Sequence, residues 1–173
     1  MTWRDDAQVY GHLCFWASGE RLGDFDQSVM LSAAARYLRE FLSHSAERHV
    51  EALDGKLAEE VFAYVSETVY YSEGAEKSRD PVARYVPKHL LYDWALHGRL
   101  RAAFHLDDVG DATFQGMSMI LFDDHSLGVQ RLIWRYHGAN DLHEARLPDH
   151  VFDAVAEQFL AAYEQDTGES SVK

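Results

Sequence analysis

The sequence predicts an α+β fold: an antiparallel β-meander sheet of five or six strands with helices packed against it. Two observations carry that prediction. Residues 99–147 divide into short apolar segments separated by turns rich in Asp and Gly, the signature of consecutive antiparallel strands. Residues 27–44 and 148–163 instead carry apolar side chains at helical spacing. A length of 173 residues suits one domain, and neither an internal repeat nor a low-complexity linker divides it. The expected organisation is a single domain over residues 1–165 and a polar, disordered tail over 166–173.

Residues 8–17 read as a first strand. Val9, Gly11, Leu13, Phe15 and Ala17 share one face, and Tyr10, His12, Cys14 and Trp16 the other. Neither face is polar, so the strand is expected to be covered on both sides. Ser18, Gly19 and Glu20 supply a tight turn into Arg21, Leu22 and Gly23, which completes a hairpin. Asp24, Asp26 and Ser28 are candidate N-caps for the helix over residues 27–44, whose buried stripe is Met30, Ala34, Tyr37, Leu38 and Phe41. A second helix follows Gly55 through Leu57, Val61, Phe62 and Val65, with Glu59 and Glu60 at the positive end of its dipole.

Residues 72–81 are polar and breaker-rich, and read as a surface loop. Residues 87–98 begin with Pro and end with Gly, which favours a short helix although the aromatic content also fits a strand. Four strands then follow. Leu100, Ala102, Phe104 and Leu106 alternate with Arg101, Ala103 and His105, and residues 107–111 turn. Residues 112–122 are apolar on both faces, as in a central strand, and residues 123–128 turn again. Residues 129–137 form a third strand, 138–141 a third turn and 142–147 a last strand. Pro148 opens the final helix, with Val151, Phe152, Val155, Phe159, Leu160 and Tyr163 on its apolar stripe. Trp16 and Trp134 sit beside apolar neighbours on strands and are expected in the core.

Composition narrows the function. Hydrophobic residues make up 47% of the chain, too many for a disordered protein even at a net charge of −13. The excess of 29 acidic over 16 basic residues disfavours direct binding to nucleic acid or to an anionic membrane. The N-terminal residues lack the basic and apolar regions of a signal peptide, so a cytoplasmic location is expected. The single cysteine, Cys14, has no internal disulfide partner and lies in an apolar strand, where an inert thiol is the common outcome.

The chain carries ten histidines, yet the pairs His105 with Asp107 and Asp123 with His125 fall at opposite edges of the expected meander. Zinc sites need three or four converging ligands, so no metal or cofactor is expected. There is no Gly-x-Ser-x-Gly elbow and no phosphate-cradling glycine loop. The acids, however, gather. Asp107, Asp108 and Asp111 share one turn, and Asp141 lies in the turn two connections later, at the same edge of a meander. Glu20, Asp24 and Asp26 form another group around the first hairpin. Steering of a basic partner is one reading of such groups, and ordinary use of Asp in turns is the other. Spacing alone does not separate them.

The run Tyr10-Gly11-His12-Leu13-Cys14-Phe15-Trp16-Ala17-Ser18-Gly19-Glu20-Arg21-Leu22-Gly23-Asp24 resembles the start of small bacterial immunity proteins. In those, a strand with Gly and an aromatic leads through a turn to Gly-Asp and a long helix. The strand Gln130-Arg131-Leu132-Ile133-Trp134-Arg135 and the Pro-initiated last helix resemble the same group, and the similarity is to immunity family forty-two, over residues 10–163. The resemblance implies a non-catalytic protein that binds and neutralises a cognate toxin made beside it. It transfers no catalytic residue. The charge adds the expectation that the toxin domain is basic. A small hydrolase with an acidic site, and an acidic adaptor subunit, are the competing readings.

Overall fold

The computed structural model describes residues 3–5, 8–70, 94–110 and 113–168. The expected loop at 72–81, most of the expected helix at 87–98, and Asp111 lie outside the described residues. The architecture is α+β, but the strands form small separate sheets and not one meander of five or six.

Residues 8–17 are not one strand. They break into β2 (Gln8–Gly11) and β3 (Phe15–Ala17). The short β1 (Trp3–Asp5) pairs antiparallel with β2, whose other edge takes β5 (Val29–Met30). Strand β3 pairs with β4 (Glu20–Leu22) as an independent hairpin, in the register Phe15↔Leu22, Trp16↔Arg21 and Ala17↔Glu20. Its two turn residues, Ser18 and Gly19, have φ of 51° and 81°. Positive φ at both central positions matches the right-handed twist of the paired strands.

Helix α1 (Leu31–Ser43) buries Leu31, Ala34, Ala35, Leu38 and Phe41 along one face. The expected caps do not cap it. The chain enters directly from β5 with Met30 at the N-cap, while Asp24 Oδ1 accepts the Asp26 N–H inside the preceding turn. Two 3₁₀ turns, Ser45–Glu47 and Glu51–Leu53, lead to α2 (Ala58–Tyr70). The expected strand from Leu100 to Leu106 is instead the end of a helix, α3 (Trp94–Phe104), followed by a 3₁₀ turn at Asp107–Gly110. The same residues satisfy both periods. Leu100, Ala103 and Phe104 stand at i, i+3 and i+4, and all three are buried.

The central sheet is a three-stranded meander of β6 (Met117–Asp124), β7 (Val129–Tyr136) and β8 (His143–Pro148). Both of its faces are covered, which explains the two-sided apolar pattern. Met117, Met119, Leu121, Leu132, Trp134 and Ala145 face α1, the β3–β4 hairpin and the last helix, α4 (Val151–Thr167). Ile120, Phe122 and Ile133 face α2 and α3 on the other side. Trp134 is in the core as expected. Helix α4 runs through Thr167, and Gly168 closes it at φ 72°. Its first turn is satisfied from the sheet, because the side chain of Gln130 accepts the Phe152 N–H at 2.9 Å.

The buried charges lie where the sheet meets the helices. Arg48, fully buried, donates to both carboxylate oxygens of Asp153 at 2.7 and 2.8 Å, and its guanidinium lies over the Phe41 ring. Arg131 donates to Glu144 at 2.6 Å, to the Lys56 carbonyl at 2.8 Å and to Asp124 at 3.3 Å. Asp123 and Asp124, read from sequence as an acidic turn at the sheet's edge, are thus buried structural anions.

Candidate partner-binding surface

The four carboxylates expected to form one rim rested on alternate turns of a single meander. That geometry does not exist, because Asp107 and Asp108 follow a helix and not a strand. Asp107 lies 3.2 Å from His105 Nδ1. Asp108 accepts from Arg101 Nη2 at 2.6 Å and Nε at 2.9 Å, a pairing that occupies one of its oxygens. Asp108 also lines a groove of about 530 Å³ with Arg36, Tyr37 and Glu40, where two acids face one base. Asp141 is exposed in the β7–β8 connection.

The second group sits around the first hairpin. Asp24 and Asp26 are exposed, and Asp24 holds its loop through hydrogen bonds to the Asp26 N–H and the Gln27 amide. Glu20, on β4, accepts the Tyr136 hydroxyl at 3.0 Å and lies 3.8 Å from His143 Nδ1. Partial burial, then the hydrogen bond to Glu20 and the Glu20 charge itself, raise the Tyr136 phenol above its ordinary value. These contacts dock the hairpin against the ends of β7 and β8.

The hairpin's inner side carries Ala17 and Leu22, both buried, and Phe15, whose ring stacks on Phe114 at 5.0 Å. Its outer side carries Trp16 and Arg21 directly opposite one another. Trp16 is therefore not a core residue. It is 69% exposed, the highest value among the large exposed hydrophobic side chains described. Arg21 forms one wall of a groove of about 290 Å³, with Asp24, Thr113, Gln115, Met117 and Tyr136 around it. Phe25, 44% exposed, lies in the loop after β4 with its ring 5.3 Å from that of His12.

Sequence reasoning missed Trp16, Arg21 and Tyr136 as surface features. The signal was available in the hairpin. A two-residue turn at Ser18 and Gly19 pairs Leu22 with Phe15 and Arg21 with Trp16, so the face with Arg is the wet one. Among the described residues no group of three or more His, Cys, Asp or Glu side chains could hold a metal ion. No described helix is long and apolar enough to cross a membrane.

Fold and surface define an acidic α+β domain with a central helix-covered sheet and an outward-facing aromatic hairpin. The chain belongs to the immunity protein 42 family, whose model matches residues 1–162. This agrees with the resemblance drawn from residues 10–24 and 130–135. No curated protein matches the chain. No solved structure matches it either.

Proposed function

We propose that this protein neutralises a cognate bacterial toxin domain by binding it in the cytoplasm, and that it does so without catalysis or a cofactor. The observation that carries this reading is membership of the immunity protein 42 family over residues 1–162. Charge gives the partner its chemistry. A protein at −13 is attracted to a basic face, and toxin domains that act on nucleic acid or nucleotides carry such faces. Glu20, Asp24 and Asp26 at the hairpin, and Asp141 in the β7–β8 connection, are the carboxylates we assign to that attraction, whereas Asp107 beside His105 and Asp108 held by Arg101 add only to the net charge. The reading places the binding domain in residues 1–165.

The test is protection in cells. The toxic C-terminal domain encoded beside this chain's gene is induced in a sensitive host, with and without this protein. Growth is expected only when both are expressed, together with a complex that co-purifies at one-to-one stoichiometry. Arrest in both cultures, with no complex, would exclude neutralisation of that toxin.

A further inference from the structure

We infer that the outer face of the β3–β4 hairpin, centred on Trp16 and Arg21 and continued by Tyr136, is the surface on which the toxin domain docks. This inference rests on the immunity reading and gives it a location. Trp, Tyr and Arg are the side chains most often found to dominate binding energy at protein interfaces. Here Trp16 and Arg21 stand opposite one another on the outer face of the hairpin, and Arg21 and Tyr136 line the same groove of about 290 Å³. Trp16 has no part in the core, since Phe15, Ala17 and Leu22 already face inward from the same hairpin.

The patch is held rigid before any partner arrives. The turn at Ser18 and Gly19 fixes the strand register, Phe15 stacks on Phe114, and Glu20 holds the Tyr136 hydroxyl at 3.0 Å. Little conformational entropy is left to lose on binding, and an indole has only two side-chain torsions to fix. Charge selects the occupant. Glu20 holds the Tyr136 hydroxyl, Asp24 lines the groove with Arg21, and Asp26 is exposed in the same loop as Asp24, so acids outnumber the Arg21 guanidinium around the hairpin. The complementary surface is a protein face rich in Lys and Arg, with an apolar notch for the indole and a carboxylate for Arg21. A second copy of this chain, itself at −13, is repelled from the same patch.

The test uses the full chain and a catalytically inactive variant of the toxin domain encoded beside it, with Kd measured by titration calorimetry. Trp16→Ala should weaken binding by about 30-fold or more, the loss typical of a central anchor. Arg21→Ala should weaken it by about 10-fold, and circular dichroism and thermal midpoint should stay at wild-type values. Leu57→Ala is the control. That side chain is 67% exposed next to α2, on the opposite side of the central sheet, and its loss should leave Kd within about twofold. Hydroxyl-radical footprinting of the wild-type complex reads the same question without a substitution, and Trp16 should become protected. An unprotected Trp16, or a Trp16→Ala protein that binds as tightly as wild type, would overturn the docking surface while leaving the immunity function standing. So would loss of a homodimer in Trp16→Ala with toxin affinity retained. A wild-type chain that does not bind the toxin at all removes the immunity reading, and the docking surface with it.

Discussion

Gly23 shows how a single backbone position couples the hairpin to the rest of the molecule. Its φ of 98° is rare for residues with a side chain, and a Cβ there would lie 2.7 Å from both Phe114 Cε1 and Thr113 Cγ2. The close approach lets Asp24 N–H donate to the Thr113 carbonyl at 2.8 Å, which ties the loop after β4 to the start of the central sheet. Gly23→Ala combines the left-handed penalty with a clash against an aromatic ring, and should cost at least about 2 kcal/mol in urea denaturation. Asp124 is a second such residue. Burial acts against its carboxylate. Hydrogen bonds from Ser126 and from the Gly55 and Leu127 N–H groups, with the Arg131 charge, outweigh burial and hold its pKa below the usual carboxylate value. A depressed folded-state pKa gives stability that is present above the unfolded value, near about pH 4, and is lost as pH falls through it toward the folded value. Asp124→Asn should therefore lower stability at pH 7 by about 2 kcal/mol, with the gap from wild type closing below about pH 4. Denaturant midpoints across a pH series measure both. Asp123 runs the other way. Burial raises its pKa against the opposing pull of Arg48 and the Gln130 hydrogen bond, so its contribution is present at acid pH and lost as pH rises.

At the scale of elements, the hairpin was legible because two-residue turns leave few alternatives. The positive φ at Ser18 is the weak point of that turn, since Asn tolerates the left-handed region better than Ser. Ser18→Asn should raise the thermal midpoint, by a stabilisation of about 0.5 kcal/mol, and leave partner binding unchanged. Helices α1 and α4 were legible for a different reason: each keeps one unbroken apolar stripe. Residues 100–106 were misread because small residues at 102 and 103 let the same seven positions satisfy both a period of two and a period of 3.6. The two readings differ at Ala103. A strand puts it beside Arg101 on the polar face, whereas α3 buries it completely against the second core cluster. Ala103→Glu should therefore cost more than about 2 kcal/mol by burying an unpaired charge. A variant as stable as wild type would contradict the helix. The break between β2 and β3 was not legible, because Leu13 and Cys14 continue the apolar run although residues 12–14 belong to no strand.

For the whole molecule, the sign of the charge was plain in the sequence, but not which acids remain free to act at long range. Asp123 and Asp124 disappear into the sheet's ion-pair network, where Arg48 and the Gly55 N–H reach them from a distant part of the chain and Arg131 from the neighbouring strand, and Asp108 is engaged by Arg101 on a helix that reads as a strand. Asp26 and Asp141 stay exposed, so they offer the cleanest tests of steering. Coulomb attraction acts mainly before contact. It raises the rate of encounter with a basic face and has little effect on how fast the finished complex comes apart. Replacing Asp26, exposed in the loop after the hairpin, by Lys should accordingly slow association with the toxin domain several-fold at low ionic strength and leave dissociation nearly unchanged. Raising the salt shortens the Debye length from about 10 Å at 0.1 M to about 3 Å at 1 M. The association rate of the wild type should fall along that series, until it meets the rate of the Asp26→Lys protein. Trp16→Ala should show the opposite pattern, with association little altered and dissociation much faster, because an indole acts only once the surfaces are in contact. Stopped-flow traces of the three proteins across one salt series separate these contributions. An association rate indifferent to both salt and the reversal at Asp26 would reduce the hairpin's acids to turn formers, and leave the aromatic patch as the whole of the recognition surface.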